Sequence, residues 1–165
     1  MRAVIVLLLA VLAASTAAVQ RPTSSKPAID TPHVTITTSV GTEKMEPGGK
    51  VTLVVDIAPK PKMHVYAPEE KDGIPVTVTI APHPALTPGA AEFPPPEKFF
   101  FAPLKLTQLV YSKPFRIRSP IAIKSGSSKD TLTVNGTLRY QACDDAVCYL
   151  PKTVPLNWEL KSVVR

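Results

Sequence analysis

The chain has 165 residues, a formal net charge of +6 and 19 prolines, with an aromatic content of only 6%. So much proline and so few aromatics exclude a helical bundle and fit many short strands joined by proline-bearing turns. The charge is spread along the chain without a basic run interleaved with aromatics, which argues against nucleic acid; no serine–histidine–acid constellation points to hydrolysis, and no glycine-rich loop to a nucleotide.

Arg2 precedes an apolar run from Ala3 to Ala14 that exits through Ser15-Thr16-Ala17-Ala18. The run is shorter than the about twenty apolar residues of a membrane span and ends in small residues, so residues 1–18 read as a signal peptide cleaved after Ala17 or Ala18. The mature chain is then expected in the periplasm or secreted, without a membrane span and monomeric by default. There a cysteine pair can persist as a disulfide. Residues 19–32, rich in Pro, Ser and Thr, read as a flexible lead-in. Residues 33–165 are expected to form one domain, long enough to build its own core.

From His33 the pattern alternates, with Val34 and Ile36 on one face and Thr35 and Thr37 on the other, as in a strand with one buried side. Met45-Glu46-Pro47-Gly48-Gly49 is a turn, and Val51, Leu53, Val55 and Ile57 form the inner face of a second strand. Met63 to Tyr66 and Ile74 to Ile80 are expected strands. Residues 81–96 carry six prolines between Pro82 and Pro96 and are expected to form an extended surface loop closed by Phe99-Phe100-Phe101. Phe115 to Ile123 reads as a strand whose Pro120 implies an edge or a bulge. Residues 125–130 make a hairpin loop, Leu132 to Tyr140 continue the alternation with Gly136 marking a bulge, and Thr153 to Leu160 supply the last strand. The expected fold is all-β: an immunoglobulin-like antiparallel β-sandwich.

The only two cysteines lie in Tyr140-Gln141-Ala142-Cys143-Asp144-Asp145-Ala146-Val147-Cys148-Tyr149-Leu150-Pro151, at the junction of the last two strands. A disulfide closing so short a loop stabilises by only about 2 kcal/mol, against about 4.7 for a loop of about a hundred residues. The pair is therefore a weak staple and better suited to exchanging electrons. Opposed residues at a hairpin neck have Cα atoms about 4.5–5.5 Å apart, within the reach of a disulfide. Exchange needs an exposed sulfur with a resolving sulfur nearby, and a hairpin tip provides both. Asp144 and Asp145 disfavour a thiolate beside them, which speaks against a strong general oxidant and for a carrier activated by its partner.

The run Tyr140 to Cys143, with Cys148-Tyr149-Leu150-Pro151-Lys152-Thr153-Val154-Pro155-Leu156, resembles the redox hairpin of the N-terminal periplasmic domain of the thiol:disulfide interchange protein DsbD. The resemblance extends more weakly through His64-Val65-Tyr66 and Phe93 to Phe115. It implies an immunoglobulin-like sandwich that takes electrons from a thioredoxin-like donor and passes them to periplasmic disulfide isomerases or other disulfide-bearing proteins, with no bound cofactor. It makes Cys148 the sulfur that forms the mixed disulfide and Cys143 its resolving mate, and it places Glu97-Lys98-Phe99-Phe100-Phe101 as an aromatic cap. His64, Tyr66, Tyr140 and Tyr149 are expected to border the site. In the full-length family protein a membrane domain and a thioredoxin-like domain follow, so here the donor is expected to be a separate protein.

Two other classes remain open on the residues alone. One is a secreted immunoglobulin-like binding module in which the disulfide only pins a hairpin. The weaker one is a Cu(I) protein drawing ligands from Cys143, Cys148, Met45, Met63, His33, His64 and His83, although these are scattered and show no ligand spacing.

Overall fold

A computed structural model describes residues 28–41, 45–125 and 131–161. The signal segment, most of the lead-in and residues 126–130 of the hairpin loop lie outside these residues. In chain order the strands are β1 (Ile29–Asp30), β2 (Val34–Val40), β3 (Lys50–Pro59), β4 (His64–Tyr66), β5 (Thr77–Ile80), β6 (Leu86–Pro88), β7 (Glu97–Phe101), β8 (Leu106–Tyr111), β9 (Phe115–Ile123), β10 (Thr131–Tyr140), β11 (Ala142–Cys143) and β12 (Lys152–Lys161). They form three antiparallel sheets, ordered β1-β2-β3-β9-β6, β12-β10-β5 and β11-β4-β8-β7. The fold is an immunoglobulin-like β-sandwich.

The alternation seen in the sequence is what assembles it. Val51, Leu53, Val55 and Ile57 of β3, Ile117 and Ile121 of β9, Val134 and Leu138 of β10, and Leu156, Trp158 and Leu160 of β12 are all buried in one core. Fully burying one such side chain contributes about 1.5–3 kcal/mol. Two polar ties join the layers: the Trp158 indole N–H donates to the Val54 carbonyl, and the Thr38 hydroxyl donates to the Asn157 carbonyl, both at 3.1 Å.

Several local expectations are revised. Ile29 and Asp30, assigned to the lead-in, pair with Ile36 and Thr35, so the folded domain starts before His33. Gly136 is not a bulge, because β10 keeps unbroken register with both β12 and β5. It marks a close approach instead: a Cβ there would lie 2.6 Å from the Thr79 carbonyl oxygen and 3.1 Å from the Trp158 ring. The proline-rich stretch 81–96 contains β6, in which Leu86 enters the core and Pro88, on an edge strand, needs no outward ladder donor. Glu92 also bridges Arg118. Pro120 lies within β9, and its carbonyl accepts from Gly89, so its missing N–H faces the end of the short β6.

The site depends on how β10 ends. After Tyr140 the chain changes sheets: Gln141 is the joint, and β11 pairs Ala142 with Val65 and Cys143 with His64 of β4. The Gln141 side chain accepts from the Ile74 N–H and donates to the Tyr149 carbonyl, which locks the joint to both flanking loops.

Candidate redox site

Cys143 and Cys148 form a disulfide across a tight hairpin, with Cα atoms 4.0 Å apart, closer than the spacing expected for a hairpin neck. Cys148 forms a single bridge with Cys143, and the long strand that follows begins only at Lys152. The neck is closed by Asp144 N–H to the Val147 carbonyl and Tyr149 N–H to the Ala142 carbonyl, both at 2.9 Å. The two sulfurs are unequal. Cys143 is fully buried, while Cys148 is exposed.

Asp144 is the keystone of the turn. One carboxylate oxygen accepts the N–H groups of Ala146 and Val147 at 2.8 Å, and the other accepts the Tyr149 hydroxyl at 2.7 Å. The Tyr149 hydrogen bond, then the two backbone donors, hold the Asp144 carboxyl below its ordinary value. The same bond pushes the Tyr149 phenol up. Asp145 stands exposed beside it.

Above the pair lies an aromatic and polar layer from β4, β7 and β8. The Tyr66 hydroxyl is 3.1 Å from Cys148 Sγ and accepts from Gln108 Nε2 at 2.9 Å, so its own proton is free to turn toward the sulfur. Burial pushes the Tyr66 phenol up, and it keeps that proton. Gly73 is required against this ring, since a Cβ at position 73 would fall onto Tyr66. Phe99 packs with Tyr66, Val110 and Cys143, and its ring lies 4.3 Å from that of His64. Phe100 turns outward, 61% exposed, and Phe101 is buried. The three phenylalanines alternate as strand residues must, and only Phe99 contacts the group around Cys143.

His64 sits opposite Cys143 in the ladder, is 2% exposed, and has a buried Nε2 without a hydrogen-bond partner among the described residues. Burial lowers its basicity, against the opposing pull of Asp145 and Asp144. Tyr140, expected to border the site, belongs to the main core, where its hydroxyl meets the Thr31 hydroxyl at 2.9 Å. Tyr149 stacks on His33 with ring centroids 4.3 Å apart.

Three contributors escape sequence reasoning. Gln108 is fully buried and orients the Tyr66 hydroxyl; a glutamine on an otherwise apolar strand face was its only signal. Glu70 accepts the N–H groups of Lys71, Asp72 and Leu109, which fastens the loop carrying Gly73 to β8. Burial pushes the Glu70 carboxyl up, but the three donors bring it net below its ordinary value. Gly73 itself is the third. As for metals, no group of three or more His, Cys, Asp or Glu side chains that could hold an ion gathers among the described residues.

Residues 35–157 match the family described as thiol:disulfide interchange protein DsbD, N-terminal. The chain belongs to that family. Among solved structures, the N-terminal periplasmic domain of ScsB from Proteus mirabilis superposes with a TM-score of 0.55 at 19% identity, covering 82% of this chain and 49% of that one. The chain thus spans about half the length of that structure. The reduced DsbD N-terminal domain of Neisseria meningitidis gives a TM-score of 0.47 at 19% identity, over 67% of this chain and 76% of that one. No curated protein matches. At such identity the structural likeness speaks for the fold alone, whereas membership of the DsbD N-terminal family makes the chain a thiol:disulfide interchange domain.

Proposed function

We propose that the protein is a thiol-disulfide carrier, accepting electrons from a thioredoxin-like donor and passing them through Cys143 and Cys148 to disulfide isomerases or other disulfide-bearing proteins. The observation that carries this reading is the inequality of the two sulfurs. Partner attack requires an accessible sulfur, and Cys148 is exposed with a hydroxyl donor at 3.1 Å. Resolution requires a second sulfur in reach but hidden from other thiols, and Cys143 is buried beside Phe99. A disulfide serving only as a staple has no need of this division.

In the exchange, the partner thiolate attacks Cys148 Sγ, forming a Cys148–partner disulfide and releasing Cys143 as a thiolate. The Tyr66 hydroxyl donates to Cys148 whenever that sulfur carries charge, and Asp144 holds the hairpin in shape throughout. Phe99 serves as the cap that screens the inner sulfur from the wrong thiols. Exposed Val147 and Leu150 flank Cys148 in the chain and offer apolar contacts to a docking partner. Export to the periplasm fits this role, since relatives are periplasmic domains and no helix among the described residues is long and apolar enough to cross a membrane.

A redox titration with thiol trapping tests the reading. Reversible oxidation at the potentials of exchange proteins is expected, and a potential below about −300 mV, usual for structural disulfides, refutes it. In the companion test, Cys143→Ala should accumulate mixed disulfides through Cys148 with a thioredoxin-like protein; capture of none refutes the carrier role.

A further inference from the structure

The exchange leaves one proton unaccounted for. Cys143 is fully buried, so the thiolate released on partner attack cannot be solvated, and a buried unpaired charge is costly. In the opposite direction Cys143 must lose its thiol proton before it can resolve a mixed disulfide, because the thiolate is the nucleophile. A proton carrier has to lie beside this sulfur; Asp145 stands exposed to solvent at the turn, and the Tyr66 and Asp144 side chains are already engaged. The Tyr66 hydroxyl is committed to Cys148 and Gln108. Asp144 is ionised and saturated by Tyr149, Ala146 and Val147.

His64 is the group in the right place. It is the direct cross-strand partner of Cys143, so the two side chains leave the sheet on the same face, and Phe99 packs over both. Its Nε2 is buried without a hydrogen bond among the described residues, a costly condition that calls for an explanation. The redox state supplies one. A disulfide sulfur has no proton to give, whereas a reduced Cys143 carries an S–H donor on the same face of the sheet as the orphan nitrogen.

We infer that His64 is the proton carrier for Cys143. This rests on the exchange role proposed above. In resolution the imidazole takes the Cys143 thiol proton, the Cys143 thiolate attacks Cys148 Sγ, and the partner leaves as a thiolate. Cys143 and Cys148 are thereby oxidised by two electrons and the partner is reduced. The imidazolium then returns its proton to the departing thiolate or to water. In uptake the order reverses: the imidazole takes the proton that the partner thiol loses as it ionises, the partner thiolate attacks Cys148, and the imidazolium passes that proton to the Cys143 thiolate as it forms. The groups acting on His64 are Asp144 and Asp145 from the turn, which favour its charged form, Tyr66 on its own strand with ring centroids 6.4 Å away, and Cys143 across the ladder. Phe99 on β7 and Gln108 on β8 bring no charge.

The test uses the reduced full-length chain and 5,5′-dithiobis(2-nitrobenzoate) in a stopped-flow instrument. The first release of thionitrobenzoate reports attack by Cys148, and the second reports resolution by Cys143. Relative to the first phase, the second is expected to slow about 100-fold at pH 6.5 in His64→Asn, the lower end of general-base contributions. The gap should close as pH approaches the ordinary thiol value of about 8.5. His64→Phe, which keeps an aromatic ring against Phe99, should behave like His64→Asn. An unchanged ratio of the two phases, or a second phase with the wild-type pH profile in both variants, overturns the inference. Should the variants fail to fold, the wild type decides: by NMR the His64 imidazole is expected to titrate at different midpoints in the oxidised and reduced proteins, and equal midpoints overturn it. If the wild type itself shows no first phase, the exchange reading fails; if the first phase is present and His64 has no effect on the second, only the inference about His64 fails.

Discussion

Replacing Tyr66 with phenylalanine deletes one oxygen and exposes how the polar layer over the disulfide is balanced. The hydroxyl accepts from Gln108 at 2.9 Å, and Gln108 is fully buried with its own Oε1 lacking a hydrogen-bond partner among the described residues. Removing the acceptor strands the amide N–H as well, and an unsatisfied buried donor costs about 1–3 kcal/mol. Since the ring is kept, packing changes little, and Tyr66→Phe is expected to lose about 2 kcal/mol in urea unfolding of the oxidised protein. Gln108→Leu removes the stranded amide altogether. The double variant should therefore be more stable than the sum of the single losses by about 1–2 kcal/mol, a coupling typical of residues in one buried network. Additive losses would refute the pairing.

The same substitution has a redox consequence. Tyr66 is held from two sides, by Gln108 and by the loop at Gly73, so its hydroxyl stays in place when the disulfide opens. A hydrogen bond to a charged group is worth about 1.5–3 kcal/mol, or about 1–2 pKa units. In a Cys143→Ala background, Tyr66→Phe is expected to raise the Cys148 thiol pKa by about one unit, read from thiolate absorbance at 240 nm. An unmoved midpoint would mean that the hydroxyl does not serve the thiolate.

Three further outcomes are expected. Phe99→Ala uncovers Cys143 and His64 and should speed reduction of the disulfide by dithiothreitol several-fold; an unaltered rate would show that the ring is no cap. Gly73→Ala forces a methyl onto the Tyr66 ring, which cannot yield without leaving Cys148 and Gln108, so a loss of about 1–3 kcal/mol is expected, and a wild-type melting temperature would contradict it. The Asp144 carboxyl lies below its ordinary value of 3.8 in the folded protein, so its support of the turn is fully present above that value and is lost as pH falls through the lower, folded one. The Ala146 and Val147 amide resonances should titrate with a midpoint under 3.8, and a midpoint at or above it would remove Asp144 from its keystone role.

Most of the scaffold was legible in the sequence because strand alternation is a local signal. The inner faces of β3, β10 and β12 follow directly from their apolar period. β6 was hidden, since its prolines mask a strand whose only anchor is Leu86, and β8 was missed because polar Thr107 and Gln108 interrupt its apolar run. Gly136 reads as a bulge on local grounds, yet it is needed because Thr79 and Trp158, both remote in sequence, crowd it. The site divides in the same way. The cysteines, Asp144, Phe99, His64 and Tyr66 carry chemistry on their face. Gln108, Glu70 and Gly73 act only through which residues they meet, and a one-dimensional pattern does not contain that.

The placement of the disulfide explains how a bond can be opened and closed without endangering the fold that holds it. Cys143 belongs to a small cluster with Tyr66, Val110 and Phe99, set on the β11-β4-β8-β7 sheet and separate from the main core under β3, β9, β10 and β12. The bond closes a short loop and adds only about 2 kcal/mol. Asp144 and the two neck hydrogen bonds close the same hairpin independently of the sulfurs. Breaking the bond therefore frees two sulfurs inside a turn that is already shaped, and little of the exchange free energy goes into reordering backbone. A stronger staple across a longer loop would couple each electron transfer to partial unfolding; a weak one in a preformed hairpin asks little rearrangement of the backbone when it opens, which suits the carrier role proposed above.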